Sequence, residues 1–197
     1  AARQLVATIL LDSNFAAPRG DSVLSSQGLS LDVDPSEGAY PSGLTSSARA
    51  SWMLYLLTAD EKYRVATERA LGRVIGLAEQ HPLGFGAALH LASEVARPIR
   101  QFVVIVPDTD TDAHRENIRK DHAGDHAGDH AGDQGILTAA RSFSSSVTAV
   151  ATESQALAFA ASGFELFAER SAVNGQPTAY MCTNFVCALP TTNAREL

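Results

Sequence analysis

Residues 99–107 hold a nearly unbroken β-branched run, Phe102-Val103-Val104-Ile105-Val106, and this run restricts the fold more than any other stretch. Five consecutive apolar residues of this type, closed by Pro107, predict a strand rather than a helix. A strand apolar at every position is buried on both faces, as in a parallel sheet. Such a sheet needs helices to cover it, and the chain supplies them. A second strand is predicted at residues 146–151 and a third at residues 178–182. Between these two, a helix is predicted from Glu153 through Phe167, with Leu157, Ala160, Ala161 and Phe164 on one side. The alternation predicts a small three-layered α/β unit with right-handed crossovers.

Upstream of this run the apolar period is helical. Ser42, Thr45 or Ser46 can cap a helix running through Ala48, Trp52, Leu56 and Leu57. Asp60 is placed to cap a second helix. Its inner face carries Tyr63, Ala66, Ala70, Val74 and Leu77, and its outer face Glu61, Arg64, Glu68 and Arg69. His81-Pro82 ends it, because a residue before proline avoids the helical region. A third helix is predicted at residues 83–96, closed by Pro98. Short links between such helices predict antiparallel helical hairpins. Leu5, Val6, Ile9 and Leu10 suggest one more helix at residues 1–11. Residues 12–46 read as a long loop with short strands around Val23-Leu24 and Leu29–Val33. A loop of that length in a compact domain is often functional. The fold class is therefore mainly α with a small α/β unit: helical hairpins over residues 1–98, then a C-terminal β-α-β-α-β element over residues 99–197. A low-complexity His/Asp/Gly insert at residues 108–135 lengthens the first crossover.

The 197 residues carry 22 acidic side chains against 15 lysines and arginines, a net charge of -7. Phosphate backbones need a basic surface, so no nucleic-acid partner is expected. No apolar stretch reaches the roughly 20 residues of a membrane span. The start, AARQLVATILLDSNF, is only briefly apolar before Asp12, unlike a signal peptide. Two cysteines and no signal predict a cytoplasmic protein, and no cofactor is expected. The first residue is Ala1 and the last four read like the middle of a helix, which predicts a piece of a longer protein. Apolar helix faces left uncovered in such a piece favour self-association.

The insert repeats Asp-His-Ala-Gly three times from Asp121. His122, His126 and His130 would share one face of a helix, and Asp and His are good metal ligands. Glycine at every fourth position opposes that helix by about 1 kcal/mol each. No apolar residue anchors the segment, so a solvated repeat with only adventitious metal binding is favoured. Cys182 and Cys187 are the only cysteines. They are read as a redox pair, if a helix end or cation lowers a thiol pKa, as half of a metal site, or as two small buried reduced thiols beside a strand. The four-residue gap differs from the two-residue gap of thioredoxin motifs, which favours the last reading. Pro41-Ser42-Gly43 stands before a helix, where backbone N–H groups can bind an anion, although an ordinary turn and cap is the favoured reading. His81 is read as a helix-end residue, His90 as a packed or surface residue, and Glu37 as the one acid of interest in the long loop. No phosphate-cradling glycine loop, nucleophile elbow or metalloprotease helix is present in the sequence.

Glu37-Gly38-Ala39-Tyr40-Pro41-Ser42-Gly43 ahead of a helical hairpin is similar to a DGAEPSGNS segment. The close, Gly175-Gln-Pro-Thr-Ala-Tyr-Met-Cys182-Thr-Asn-Phe-Val-Cys187, is similar to GKPTAYVCENFTCQAP. Both belong to the thioredoxin-domain-containing proteins related to spermatogenesis-associated protein 20, and the chain resembles that family over nearly its whole length outside the insert. Leu44-Thr45 departs from the family's Asn-Ser. The resemblance implies the C-terminal part of such a protein. Residues 1–98 would be the remnant of an (α/α)6 toroid similar to N-acylglucosamine 2-epimerases and six-hairpin glycosidases. The N-terminal thioredoxin-like domain and the rest of the toroid would be its partners. It implies a role in carbohydrate metabolism, with Glu37 to Gly43 lining a sugar cleft, or thiol-redox chemistry in which Cys182 and Cys187 exchange with the thioredoxin-like domain. A third expectation, favoured for the isolated 197 residues, is that this region only completes the fold and has no activity alone.

Overall fold

The computed structural model describes Val23, Ser26, Gln27, residues 35–108 and residues 131–197. Five α-helices and a four-stranded mixed sheet are present among them, so the chain is mixed α/β. None of these helices is long and apolar enough to cross a membrane. The chain divides into two compact units. A helical unit comprises residues up to Tyr55 together with Asp60–Arg97, and a sheet unit comprises Leu56–Ala59 and Pro98–Leu197.

The helical unit uses α1 (Gly43–Thr58, whose last turn joins the sheet unit), α2 (Glu61–Gln80) and α3 (Gly86–Val95). Ser42 caps α1 by accepting from the Thr45 N–H at 3.1 Å. Asp60 caps α2 by accepting from the Lys62 N–H. The buried stripe of α2 is Tyr63, Ala66, Thr67, Ala70, Leu71, Val74 and Ala78. Leu77, expected inside, is exposed, because the stripe steps four residues from Val74 and not three. Two hydroxyls on buried surfaces find acceptors. Ser51 Oγ donates to Tyr63 O at 2.9 Å, and Thr67 Oγ1 donates to the same carbonyl at 2.8 Å. The third helix begins later than predicted. Pro82–Gly84 is a single 3-10 turn and α3 starts at Gly86. Proline suits a first helical turn, but Gly84 and Gly86 disfavour continuing it. Val23, expected in a strand, is in a helical turn: Gln27 N donates to Val23 O at 3.2 Å, and Ser26 Oγ donates to the same oxygen. A serine bonding back to the backbone competes with extended structure. The helix expected at residues 1–11, the strand at Leu29–Val33, and His122, His126 and His130 lie outside the described residues.

The sheet unit is ordered β2-β1-β3-β4. Its strands are β1 (Arg100–Val106), β2 (Val147–Thr152), β3 (Thr178–Thr183) and β4 (Val186–Cys187). Strand β1 is central. It runs parallel to β2 with Val104 opposite Val150, and antiparallel to β3 with Val103 opposite Tyr180. The all-apolar run therefore marks a buried central strand of a mixed sheet, not of a wholly parallel one. Helix α4 (Ala131–Ser142) makes the β1–β2 connection, so the last residues of the insert are helical. It covers one face of the sheet. Phe102, Val104 and Val106 pack there with Ile136, Ala140 and Ala179, and Met181 and Phe143 lie against them. By the two-residue period, Gln101, Val103 and Ile105 occupy the opposite face with Thr178, Tyr180 and Cys182. Gln101 is buried, and its amide donates to Leu56 O at 2.7 Å within the same unit.

Helix α5 (Glu153–Ala161) opens with a capping box between Thr152 and Gln155. It ends six residues before the predicted Phe167. Gly163 has φ 77°, its N–H donates to Ala160 O, and Phe164 N–H donates to Phe159 O. These two bonds make a Schellman stop, completed by the edge-to-face contact of Phe159 and Phe164. The predicted inner residue Leu157 is 70% exposed, and Ala156 is buried in its place. The start of α5 is tied to the end of β1. Asp108 Oδ1 accepts from Ser154 N at 3.1 Å and from Ser154 Oγ at 2.8 Å. The Ser154 hydroxyl, then its N–H and the Thr152 hydroxyl, hold this carboxyl below the usual range. A folded value below the unfolded one stabilises above the unfolded pKa, and that stability is lost as pH falls through the folded value. Asp108→Asn is expected to melt lower than the parent near pH 7, with the gap closing below about pH 4. Thermal melts across that range check this, and a gap independent of pH would refute it.

Candidate functional site

Strands β3 and β4 form a hairpin closed by Asn184 and Phe185, with φ of 49° and 65°. Two positive φ values in a two-residue loop mark a type I′ turn, whose twist matches the strands. The turn is pinned to the start of β1. Asn184 N donates to Ile99 O at 2.8 Å, and Ile99 N donates to Asn184 Oδ1 at 3.0 Å. This register sets Cys182 directly opposite Cys187, one step from the turn. Ala188 N donates to Met181 O on the far side, so the two cysteines occupy a non-hydrogen-bonded pair. Side chains approach most closely at such pairs. The two sulfurs are bonded at 2.09 Å. The expectation of two buried reduced thiols is therefore corrected in both respects: the pair is a disulfide, and only Cys182 is buried while Cys187 is exposed. The hairpin causes this, because a four-residue gap folded as a two-residue turn brings both Cβ atoms to the same face.

A cation lies against the bond. Arg170 Nη2 is 3.3 Å from Cys182 Sγ and 3.4 Å from Cys187 Sγ. Its guanidinium lies over the Tyr180 ring, 5.3 Å from the centroid. Tyr180 also clamps the segment that carries Arg170: its hydroxyl donates to Ser171 O at 2.8 Å and accepts from Ser171 N at 3.2 Å. Glu169, with φ 56°, turns the chain just before the arginine. Burial pushes the guanidinium down from its ordinary value, and Tyr180 and Glu165 push it back up. An arginine begins so high that it stays cationic. Its Nη1 is buried without a hydrogen-bond partner. A cavity of about 270 Å³ opens beside it, lined by Gln101, Glu165, Glu169, Tyr180, Phe185 and Cys187 among others. Chemically, the arrangement is a disulfide between a buried and an exposed cysteine, with a fixed positive charge that favours thiolate over thiol.

The remaining predicted residues have other duties. Glu37 Oε2 accepts from Ala87 N at 2.8 Å and from Ala88 N at 3.4 Å, so this carboxylate tethers the N-terminus of α3. Glu37→Ala is expected to cost about 1 kcal/mol, the usual loss for a removed helix cap. Urea unfolding followed by far-ultraviolet circular dichroism checks it, and an unchanged midpoint would refute the tether. Ser42 is occupied as the α1 cap, with Gly43 the first helical residue. Pro41 lines a separate cleft of about 560 Å³ in the helical unit, with Thr45, Arg49, Met53, Ala87 and His90 among its other walls. There Arg49 donates to Glu94 at 2.8 Å and faces His90 Nδ1 at 3.3 Å. His81 caps the end of α2 through its N–H to Leu77 O. Among the described residues, no three His, Cys, Asp or Glu side chains lie together as a metal site. Glu37 and the Pro41–Gly43 turn belong to the helical unit, and the cysteines to the sheet unit. Sequence reasoning missed Arg170 and Tyr180. Arg170 stands twelve residues before Cys182, outside any short motif, and Tyr180 reads as an ordinary strand residue. No protein-family model, curated protein or solved structure matches this chain, so the site rests on its own geometry.

Proposed function

We propose that the Cys182–Cys187 pair is a thiol–disulfide exchange element. The observation that carries this is Arg170 Nη2 within 3.4 Å of both sulfurs. A cation held there stabilises the thiolates formed on reduction, which makes the disulfide a stronger oxidant. A purely structural cross-link gains nothing from a half-buried guanidinium with an unpartnered nitrogen. A cytoplasmic placement, expected from the sequence, accords with this reading, because disulfides in reducing compartments are usually transient and catalytic or redox-sensing.

The closing motif supports placing this element in the C-terminal part of a thioredoxin-domain-containing protein related to spermatogenesis-associated protein 20. In that setting the helical unit is the remnant of an α/α toroid, and the thioredoxin-like domain and further hairpins are its partners. A role in carbohydrate metabolism draws less support. Its candidate acid, Glu37, already accepts two backbone N–H groups, and Ser42 is used as a cap.

The test is an equilibrium redox titration in dithiothreitol buffers, read by thiol alkylation and mass. A midpoint above about -300 mV is expected, since structural disulfides usually lie below it. A midpoint well below that value would refute the exchange role and leave a structural cross-link.

A further inference from the structure

The two sulfurs are not equivalent, and their difference assigns a direction to the exchange. Cys182 is 3% exposed and lies on the central side of the hairpin, opposite Gln101 of β1. Cys187 is exposed on the edge strand β4 and lines the cavity. Thiol exchange requires the entering sulfur, the attacked sulfur and the leaving sulfur to come nearly into line, so access decides which sulfur is attacked. Access therefore favours the sulfur of the exposed residue, Cys187, over that of the buried Cys182.

Resting on the exchange reading above, we propose that an external dithiol attacks Cys187 Sγ and that Cys182 leaves as a thiolate stabilised by Arg170. The entering thiolate forms a bond to Cys187 Sγ while the Cys187–Cys182 bond breaks, and its electron pair passes to Cys182 Sγ. The second thiol of the reductant, once deprotonated, then attacks its own partner sulfur in the mixed disulfide. That step releases Cys187 as a thiolate and leaves the reductant as a disulfide. Two electrons pass to the protein, and the two protons lost by the reductant are available to the cysteines. Arg170 is the positioning residue. Its Nη2 lies beside Cys182 Sγ before the bond breaks, so little reorganisation accompanies charge development. Tyr180 fixes it through the cation–π contact and the two Ser171 bonds.

The direction is tested by a single turnover. Oxidised protein is mixed with a monothiol such as 2-mercaptoethanol, quenched with N-ethylmaleimide and mapped by peptide mass. The mixed disulfide is expected on Cys187 and the maleimide on Cys182. The reverse pattern would overturn the proposal while leaving exchange itself intact, whereas failure to react at any accessible potential would overturn the exchange reading instead. Arg170→Met is expected to slow reduction by about tenfold, since without the cation the Cys182 thiolate is a poorer leaving group. Arg170→Lys should recover most of the rate. As a check that does not depend on folding of the Arg170 variants, Cys182 alone in Cys187→Ser should titrate below the ordinary value of about 8.5. An ordinary or raised value there would overturn the role of Arg170.

Discussion

Replacing Phe102 by alanine is expected to lower the unfolding free energy by roughly 3–5 kcal/mol, the usual range for a fully buried Phe→Ala change. Phe102 is 0% exposed and central in the β1 face that α4 covers. Its ring stacks on Phe143 at a centroid distance of 4.8 Å, and its neighbours on that face are Val104, Ile136 and Ala140. Truncation forfeits the transfer free energy of the ring and leaves a cavity between strand and helix. The strand wall is held by backbone pairing, since β1 is bonded to β2 on one side and β3 on the other, so the gap can close only partly. Urea unfolding, with circular dichroism as readout, measures the loss. A cost under 1 kcal/mol would mean that α4 does not pack on this face in solution. Phe102→Leu, which keeps most of the volume, should lose much less.

The same strand shows how far sequence reasoning reached. A five-residue apolar run can be covered on both faces in only a few ways, so β1 and the helices before it were readable from periodicity. Parallel against antiparallel pairing was not readable, because residues 178–182 carry no mark of direction, and β3 enters as the antiparallel neighbour. Helix ends were half legible. Asp60 and Thr152 are cap residues with acceptors in the right place, whereas Ser162-Gly163 is a stop signal that the continuing run of apolar residues through Phe167 obscured. Alanine-rich helices also hide their inner face. Ala156 and Leu157 compete for burial, and the alanine goes inside because a small residue lets α5 approach the sheet closely.

For the candidate site, the sulfurs were readable and their chemistry was not. Asn184-Phe185 lacks the glycine that advertises a type I′ turn. Phenylalanine tolerates a positive φ poorly, so nothing in the residues announces a two-residue hairpin. Once Ile99 anchors Asn184 from both sides, the register is set and the cysteines face each other. Arg170 arrives from the segment after α5, and only the fold brings it there. The site is therefore a product of tertiary placement: a strand pair supplies the sulfurs and a separate turn supplies the charge.

Removing the cross-link through Cys182→Ala with Cys187→Ala is expected to cost about 2 kcal/mol. A separation of five residues closes a very short loop, and the chain-entropy relation gives roughly that value for such a loop. The loss is small for a physical reason that bears on function. The hairpin is held independently by the Ala188–Met181 bond, by the two Asn184–Ile99 bonds and by the Ala179–Thr191 bridge beyond it, so the strands keep their register without the sulfur bond. An exchange element must survive its own reduction. A loss near 2 kcal/mol leaves a domain of ordinary stability, about 5–15 kcal/mol, folded in the dithiol state. Chemical unfolding of the oxidised protein, the reduced protein and the double alanine variant distinguishes the cases. Reduced and variant chains are expected to unfold cooperatively and within about 1 kcal/mol of each other, since both lack the same constraint. If reduction abolished the cooperative transition, the bond would be holding the fold together, and Arg170 would be guarding a cross-link that the protein cannot afford to open.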